Sequence, residues 1–383
     1  MQKWLIFFML IIPIISLSQI DRCGTDEYRQ YLKKNNLYEG VKFLNKSNNI
    51  RSNYTIPVVV HVLYNNEEQN ISNEKIWSQI DVLNQDYNLL NNNLSLVPDQ
   101  FIEILGDVGF DFCLVQYDLE GGVSNGINRV YTEVESFQGF NDDMKNSSAG
   151  GVDAWDTNQY LNLWVCNLSG NLLGFATMPG DVENIYDGVV IDYNYFGVNL
   201  TATNPYNLGK TVTHEVGHYF NLEHVFYAGC SDWDTCDDTP SVSTATYGCP
   251  ESPQESCGGE VSMTMNYMDY TDDACMCMFT TCQAEIMVST LLNQRFGLLG
   301  NDACSIGLDD DVFELEKIYP NPFQSSLNIN ISNSHVLIFD LFGRIVMRQH
   351  VISPTVLNLD KINSGLYILY IPEQGYYKEI LKI

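Results

Sequence analysis

The sequence predicts an α+β domain followed by a small all-β sandwich, and three observations carry that architecture. Residues 57–64 are a β-branched run, Pro-Val-Val-Val-His-Val-Leu-Tyr, which reads as a buried strand. That run opens a region in which strand-like stretches alternate with helical periodicity, and the region leads into a cysteine-rich stretch. Eight of the eleven cysteines lie in 230–304, among Asp, Gly, Pro and Ser. After Gly307 the texture changes to short alternating strands separated by turn residues. At 383 residues and 45% hydrophobic content, the chain has material for two or three domains with real cores.

Taken in order, Lys3 precedes an apolar run over 4–17 that ends in Ser16-Leu17-Ser18, a small-x-small pattern. Residues 1–18 therefore read as a secretory signal peptide. The run is short for a membrane span, Pro13 weakens it further, and no other stretch approaches the length a span needs. Residues 19–51 read as a propeptide, with a helix expected over 28–44. Arg51-Ser52, after a run of Asn and Ser, is a site suited to proteolytic nicking. A domain over 52–306 follows. Ser72 can cap a helix in which Ile76, Ile80, Leu83 and Tyr87 recur at helical spacing. Further strands are expected over 110–116, 161–165 and 187–192, with an edge strand over 173–179 ending at Pro179. A histidine-bearing helix begins near Leu208, and another helix covers 285–295. His61, inside the first strand, reads as a packed core histidine. An acidic linker over 307–317 leads to a β-domain over 318–383. Its strands are expected over 327–331, 336–340, 345–348 and 366–371, with Gly343 and Gly365 at turns.

Forty-eight acidic against 19 basic residues give a formal net charge of -29. That balance disfavours nucleic acid and anionic membranes as partners. It suits calcium or basic peptides, and solubility alone accounts for it equally well. Export makes disulfides the expected state of most cysteines. Cys23 stands alone near the new N-terminus, and the other ten lie between 113 and 304. Even pairing of those ten would leave Cys23 free as a thiolate ligand, the competing reading being that Cys23 pairs with one of the ten or is idle. Few periodic apolar residues occur over 225–282, so disulfides and calcium are expected to hold that part together. Asp232, Asp234, Asp237 and Asp238 crowd hard oxygen donors there. Asp237, Asp238 and Thr239 are the candidate calcium ligands, a solvated acidic loop being the competing reading.

The chemistry concentrates in His214-Glu215-Val216-Gly217-His218-Tyr219-Phe220-Asn221-Leu222-Glu223-His224, which holds half of the chain's six histidines. On a helix, His214 and His218 lie one turn apart on one face and can reach one ion. Glu215 lies beside them, placed to take a proton from water. His224 can complete a three-nitrogen site if the helix ends and the chain turns back. Three protein nitrogens with one open position describe a catalytic zinc site, since a structural site is closed by a fourth protein ligand. These residue types point to metal-assisted hydrolysis.

Together with Asn266-Tyr267-Met268-Asp269-Tyr270, this stretch resembles the metzincin metalloproteases, and within them the pappalysin family in its cytophagalysin-like branch. The likeness runs from residue 22 to about 300. It takes in Ile56-Pro57-Val58-Val59-Val60-His61-Val62, Gly174-Phe175-Ala176, Asp187-Gly188-Val189-Val190, Asp238-Thr239-Pro240 and Asp272-Asp273-Ala274-Cys275-Met276. The resemblance implies a mixed twisted sheet with helices and a cysteine-rich lower subdomain. It implies zinc on His214, His218 and His224, Glu215 as general base and acid, and Met268 as the floor under the metal. Tyr270 would stabilise the oxyanion, and Gly174, Phe175 and Ala176 would pair with an extended substrate. Arg22-Cys23-Gly24 resembles a cysteine switch, with Cys23 on the zinc in the latent form. By position, Cys230–Cys257 and Cys249–Cys275 match the family's disulfides, and Cys113, Cys166, Cys236, Cys277, Cys282 and Cys304 have no assigned partners. An acidic residue after the methionine turn, Asp272 or Asp273, would favour Arg or Lys just after the scissile bond. One departure is Asn221, where the family usually has glycine; Asn tolerates the left-handed conformation needed there. If it prolonged the helix instead, His224 would point away.

Tyr319-Pro320-Asn321-Pro322-Phe323, Gly365-Leu366-Tyr367 and a closing strand over 378–382 resemble the sorting domains of type IX secretion. That resemblance implies a partner in outer-membrane secretion machinery and a secreted or cell-surface product of a Gram-negative bacterium. The expected protein is a secreted zinc endopeptidase made as a zymogen, acting on proteins or peptides. The alternatives are a silent binding or adhesive protein on the same scaffold, which would need neither Glu215 nor Tyr270, and a non-proteolytic zinc hydrolase.

Overall fold

Strand β1, Tyr54–Tyr64, is the axis of the larger sheet, and its eight residues from Ile56 to Leu63 are all buried. A computed structural model describes residues 21–38, 53–117, 122–182, 184–202, 204–227, 229–231, 234–299, 303–304, 318–329, 334–340, 344–352, 355–371 and 376–383. The signal-peptide reading, Arg51, Ser52, Asp232, Gly343 and the linker over 307–317 lie outside these residues. The N-terminal half of β1 pairs in parallel with β2 (Phe110–Leu114), and its C-terminal half with β3 (Ile127–Tyr131). On its other side β1 pairs with β4 (Leu161–Cys166), which continues in parallel to β6 (Val189–Asp192). The short β5 (Gly174–Ala176) closes the edge antiparallel to β6. β3 is absent from the sequence reading. Its residues are only half-buried, so Ile-Asn-Arg-Val-Tyr carries little of the apolar signal that marks a strand.

Helix α1 (Thr25–Lys34) begins earlier than expected and ends ten residues before 44. Helix α2 (Asn73–Asp86) is capped by the Ser72 side chain, which accepts from the Lys75 amide, and buries Ile76, Ile80 and Leu83. Helix α3 (Lys210–Tyr219) is buried along its whole length and packs against α2, β5 and β6. Helix α4 (Thr281–Asn293) starts four residues before the expected 285, because Thr280 and Gln283 form a reciprocal capping box.

The cysteine-rich region differs from expectation in two ways. It has an apolar core of its own, where Met263, Met265, Cys277 and Met278 pack with Val97 and Phe101. Methionines without periodicity build it, as their flexible thioethers fill irregular gaps. The ten later cysteines also do not all pair. The disulfides are Cys113–Cys304, Cys230–Cys257, Cys236–Cys282 and Cys249–Cys275, with Cα atoms 5.5–6.0 Å apart. Cys166 and Cys277 are buried thiols like Cys23, one at the end of β4 and one in the methionine core.

The C-terminal part is a sandwich with its own core. Strands β7 (Ile318–Tyr319), β8 (Ser326–Ile329) and β11 (Thr355–Asn358) form one sheet. Strands β9 (Ser334–Phe339), β10 (Ile345–Val351), β12 (Gly365–Ile371) and β13 (Tyr376–Lys382) form the other. Alternate residues such as Val336, Ile338, Leu357 and Leu369 fill the space between them. β7 and β11 are additional to the strands read from sequence. Among the described residues no helix is long and apolar enough to cross a membrane.

Candidate active site

Helix α3 places His214 and His218 one turn apart, and the chain then reverses. The Leu222 amide donates to Gly217 O at 3.0 Å and the Asn221 amide to His218 O at 2.8 Å. Asn221 itself sits at φ 74°, the left-handed conformation anticipated for it. The turn brings His224 back to the helix. The three Nε2 atoms then lie 3.0, 3.1 and 3.2 Å apart.

Each ring is oriented through its other nitrogen. His214 Nδ1 donates to Tyr267 O and His218 Nδ1 to Leu222 O, both at 2.6 Å, and His224 Nδ1 meets Asp26 Oδ2 at 3.0 Å. With the proton on Nδ1, every Nε2 turns a lone pair to a common point. Burial keeps His214 and His218 far below the usual histidine range, so both stay neutral. Three lone pairs this close repel one another unless a cation sits among them. Tetrahedral ligands about 2.0–2.1 Å from zinc are themselves about 3.3 Å apart, so the donor set and spacing fit that ion. Cys23 Sγ joins the three nitrogens, all four donor atoms lying within 4.8 Å of one another.

Glu215 is fully buried beside this cluster. Its Oε2 accepts from the Thr25 hydroxyl at 3.1 Å and the Cys23 thiol at 3.4 Å, while Oε1 has no partner. Burial pushes its carboxyl up to about 8, against the pull of those two hydrogen bonds. Burial, and then the Glu215 carboxylate, hold the Cys23 thiol well above its ordinary range. A cation on the histidines acts in the opposite sense on a thiol. Tyr270 donates to Cys23 O at 3.3 Å, and its ring centroid lies 5.0 Å from that of His224. Met268 lies behind α3: a Cβ on Gly217 would come 2.6 Å from Met268 Sδ.

The segment around Cys23 lies along β5. The Gly24 amide donates to Gly174 O at 2.9 Å, the Leu173 amide to Asp21 O at 3.0 Å, and the Ala176 amide to the Thr25 hydroxyl at 3.0 Å. The bridge between Asp21 and Leu172 is parallel. Phe175 turns to the other face and packs against Tyr28, ring centroids 5.0 Å apart. Arg22 fills a pocket beside the cluster, its Nη1 3.1 Å from Asp273 Oδ1, its guanidinium over Tyr206 and its Nη2 on Met276 Sδ. Asp273 Oδ2 is fixed by the Leu208 and Lys210 amides. Of the two acidic candidates Asp273 makes the ion pair with Arg22, while Asp272 is partly exposed and feels the Arg22 charge at longer range.

The calcium candidates are split. Asp237 is exposed, and the Thr239 hydroxyl donates to Asp234 Oδ1 at 2.5 Å. Asp238 Oδ2 accepts from the Cys282 amide, while Asp238 Oδ1 and Asp234 Oδ2 are buried without partners. Several contributors escaped the sequence reading because long-range folding alone joins them. Asp86 accepts from Lys210, Thr213 and Tyr267, tying α2 to α3 and to the methionine turn. Arg295 pairs with Asp187, and Asp26 with His224. His61 is a core residue, as expected: it stacks on Trp164 and bonds Asn162 and Asn128.

Comparison with known proteins fits this geometry. A family profile described as pregnancy-associated plasma protein-A, Peptidase_M43, matches residues 144–292, and one for a secretion system C-terminal sorting domain matches 317–383. An extracellular metalloprotease of Arthroderma gypseum is 33% identical over 277 residues, covering 69% of this chain and 82% of its own. One from Arthroderma benhamiae is 32% identical, over 68% of this chain and 87% of its own. Among solved structures, Tannerella forsythia mature mirolysin in complex with a cleaved peptide is 42% identical, with a TM-score of 0.64. It covers 66% of this chain and 98% of its own. A mutant of promirolysin from the same organism is 37% identical, with a TM-score of 0.66, over 74% of this chain and 98% of its own.

Proposed function

This chain belongs to the M43 peptidase family and is a secreted metalloprotease with a C-terminal sorting domain, and from that premise we propose a zinc-dependent endopeptidase made as a zymogen. The observation that carries the reading is the triangle of Nε2 lone pairs on His214, His218 and His224, each ring fixed through Nδ1. Zinc held there supplies Lewis acidity that polarises a substrate carbonyl and acidifies water. Glu215 accepts a proton from the attacking water and delivers it to the leaving amine, its raised carboxyl pKa suiting both roles. Tyr270 donates from its hydroxyl to the developing oxyanion. β5 offers Gly174 O and the Ala176 amide to an extended peptide.

Cys23 closes the open position in the precursor, and cleavage near Arg51-Ser52 removes it. The pocket ending at Asp273 takes Arg or Lys just after the scissile bond, a reading supported by Arg22 lying in it. The unpartnered oxygens of Asp234 and Asp238 support a structural calcium in the cysteine-rich region. The sorting domain hands the protein to outer-membrane secretion machinery. The test is cleavage mapping by mass spectrometry on a mixed peptide library with zinc and calcium, comparing the matured protein with Glu215→Ala. Cleavage by the intact form alone, enriched at Xaa-Arg and Xaa-Lys bonds, is expected. A folded, zinc-loaded, propeptide-free protein that cuts nothing overturns the reading.

A further inference from the structure

A second arginine of the propeptide is held as closely as Arg22, on the far side of Cys23. Arg29 Nη1 lies 2.8 Å from Glu223 Oε1, and Arg29 Nε 3.2 Å from Asp181 Oδ2. Asp181 is completely buried, yet neither of its carboxylate oxygens has a hydrogen-bond partner; Oε2 of Glu223 is likewise buried and unpartnered. Two carboxylates facing one point form a charged site whose ion-pairing partner among the described residues, Arg29, comes from α1. The helix is otherwise seated by Tyr28 and Leu32, which pack into a cluster with Phe140, Phe175 and Val182. When the propeptide leaves, a groove with an apolar wall and an acidic pair opens beside the metal site.

We propose that Asp181 and Glu223 form a recognition site for a basic side chain on the substrate segment preceding the scissile bond, with Arg29 as its occupant in the precursor. This rests on the protease reading above. If the residue after the scissile bond enters the Asp273 pocket, where Arg22 lies, then the opposite side of Cys23 faces the residues before that bond. From Cys23 to Arg29 the path is a short non-extended step through Gly24 into α1 and about one helical turn, on the order of 10 Å. An extended substrate covers that in three to four residues. Arginine fits better than lysine, because its planar fork reaches two carboxylates from different nitrogens.

The test uses full-length precursor matured to release the propeptide, with zinc content checked in every variant because Glu223 precedes His224. Peptides that differ only by Arg or Gln at the third or fourth residue before the cleaved bond are compared by kcat/KM. The expected ratio is about ten-fold in favour of Arg, expressed in KM, as a charge-assisted pair to a desolvated carboxylate implies. In Glu223→Gln, and in the Asp181→Asn, Glu223→Gln double variant, the ratio falls toward one. Equal cleavage of both peptides by the matured wild type overturns the site and leaves the protease reading standing. If neither peptide is cut, the protease reading fails, and a binding arm still decides the site. There a labelled peptide of residues 21–38 and its Arg29→Gln version are titrated into matured Glu215→Ala protein by fluorescence anisotropy. About ten-fold weaker binding of the Gln peptide supports the site, and equal binding overturns it.

Discussion

Replacing Arg22 by alanine removes one half of an ion pair in which both side chains are nearly inaccessible to solvent, 1% and 0%. Breaking a buried pair by deleting one partner costs about 3–5 kcal/mol, because the remaining charge is left uncompensated. Asp273 keeps two backbone amide donors on Oδ2, so the lower end applies. About 3 kcal/mol corresponds to roughly a hundred-fold change in affinity. Cys23 is untouched, so the change isolates the side-chain anchor from the blocking sulfur. The assay adds a synthetic peptide of residues 19–51 to the matured protease and measures its inhibition constant, with and without Arg22→Ala. Arg22→Lys keeps the charge but loses the planar contact with Tyr206, and an intermediate loss, about ten-fold, is expected. A change below about five-fold for Arg22→Ala would refute the argument that this pair carries much of the propeptide's hold.

Other expectations concern the fold that positions the site. Asn221→Val places a β-branched residue at φ 74° and should destabilise the protein by about 1–2 kcal/mol, with weaker zinc retention against a chelator; Asn221→Gly should retain zinc as well as the wild type. Gly217→Ala forces a methyl to within 2.6 Å of Met268 Sδ, so melting temperature and zinc retention should both fall, and an additional Met268→Ala should restore part of the loss. His61 is held at about 4 by burial, against an ordinary value near 6.5. Its neutral form is favoured in the fold, so its contribution is intact above about pH 6.5 and is lost as pH falls toward 4, where the unfolded chain binds the proton first. The loss approaches about 3 kcal/mol, and chemical denaturation of His61→Asn over pH 4.5–7 should show a flatter slope than the wild type.

The three-histidine cluster was legible because its spacing is local. A helical repeat of four puts His214 beside His218, and Asn221 tolerates the turn that returns His224. β1 and α2 were legible for the same reason, through a β-branched run and a capped 3.6-residue period. β3 was not, since a half-buried edge strand has a weak apolar pattern. The methionine core of the cysteine-rich region was not, since its residues follow no period.

Local pattern alone determined the histidine-bearing helix and the strands it packs against, and it pointed to metal chemistry. The tertiary structure decided which distant groups meet them. It paired Arg22 with Asp273, turned Asp26 toward His224, and set Arg29 between Asp181 and Glu223. It also paired Cys113 with Cys304 and Cys236 with Cys282 while leaving Cys166 and Cys277 as thiols. Helical and strand periods act over a few residues, so they are written in the chain. Partnerships between residues distant in the chain depend on how the packed elements cross, and no local spacing encodes that.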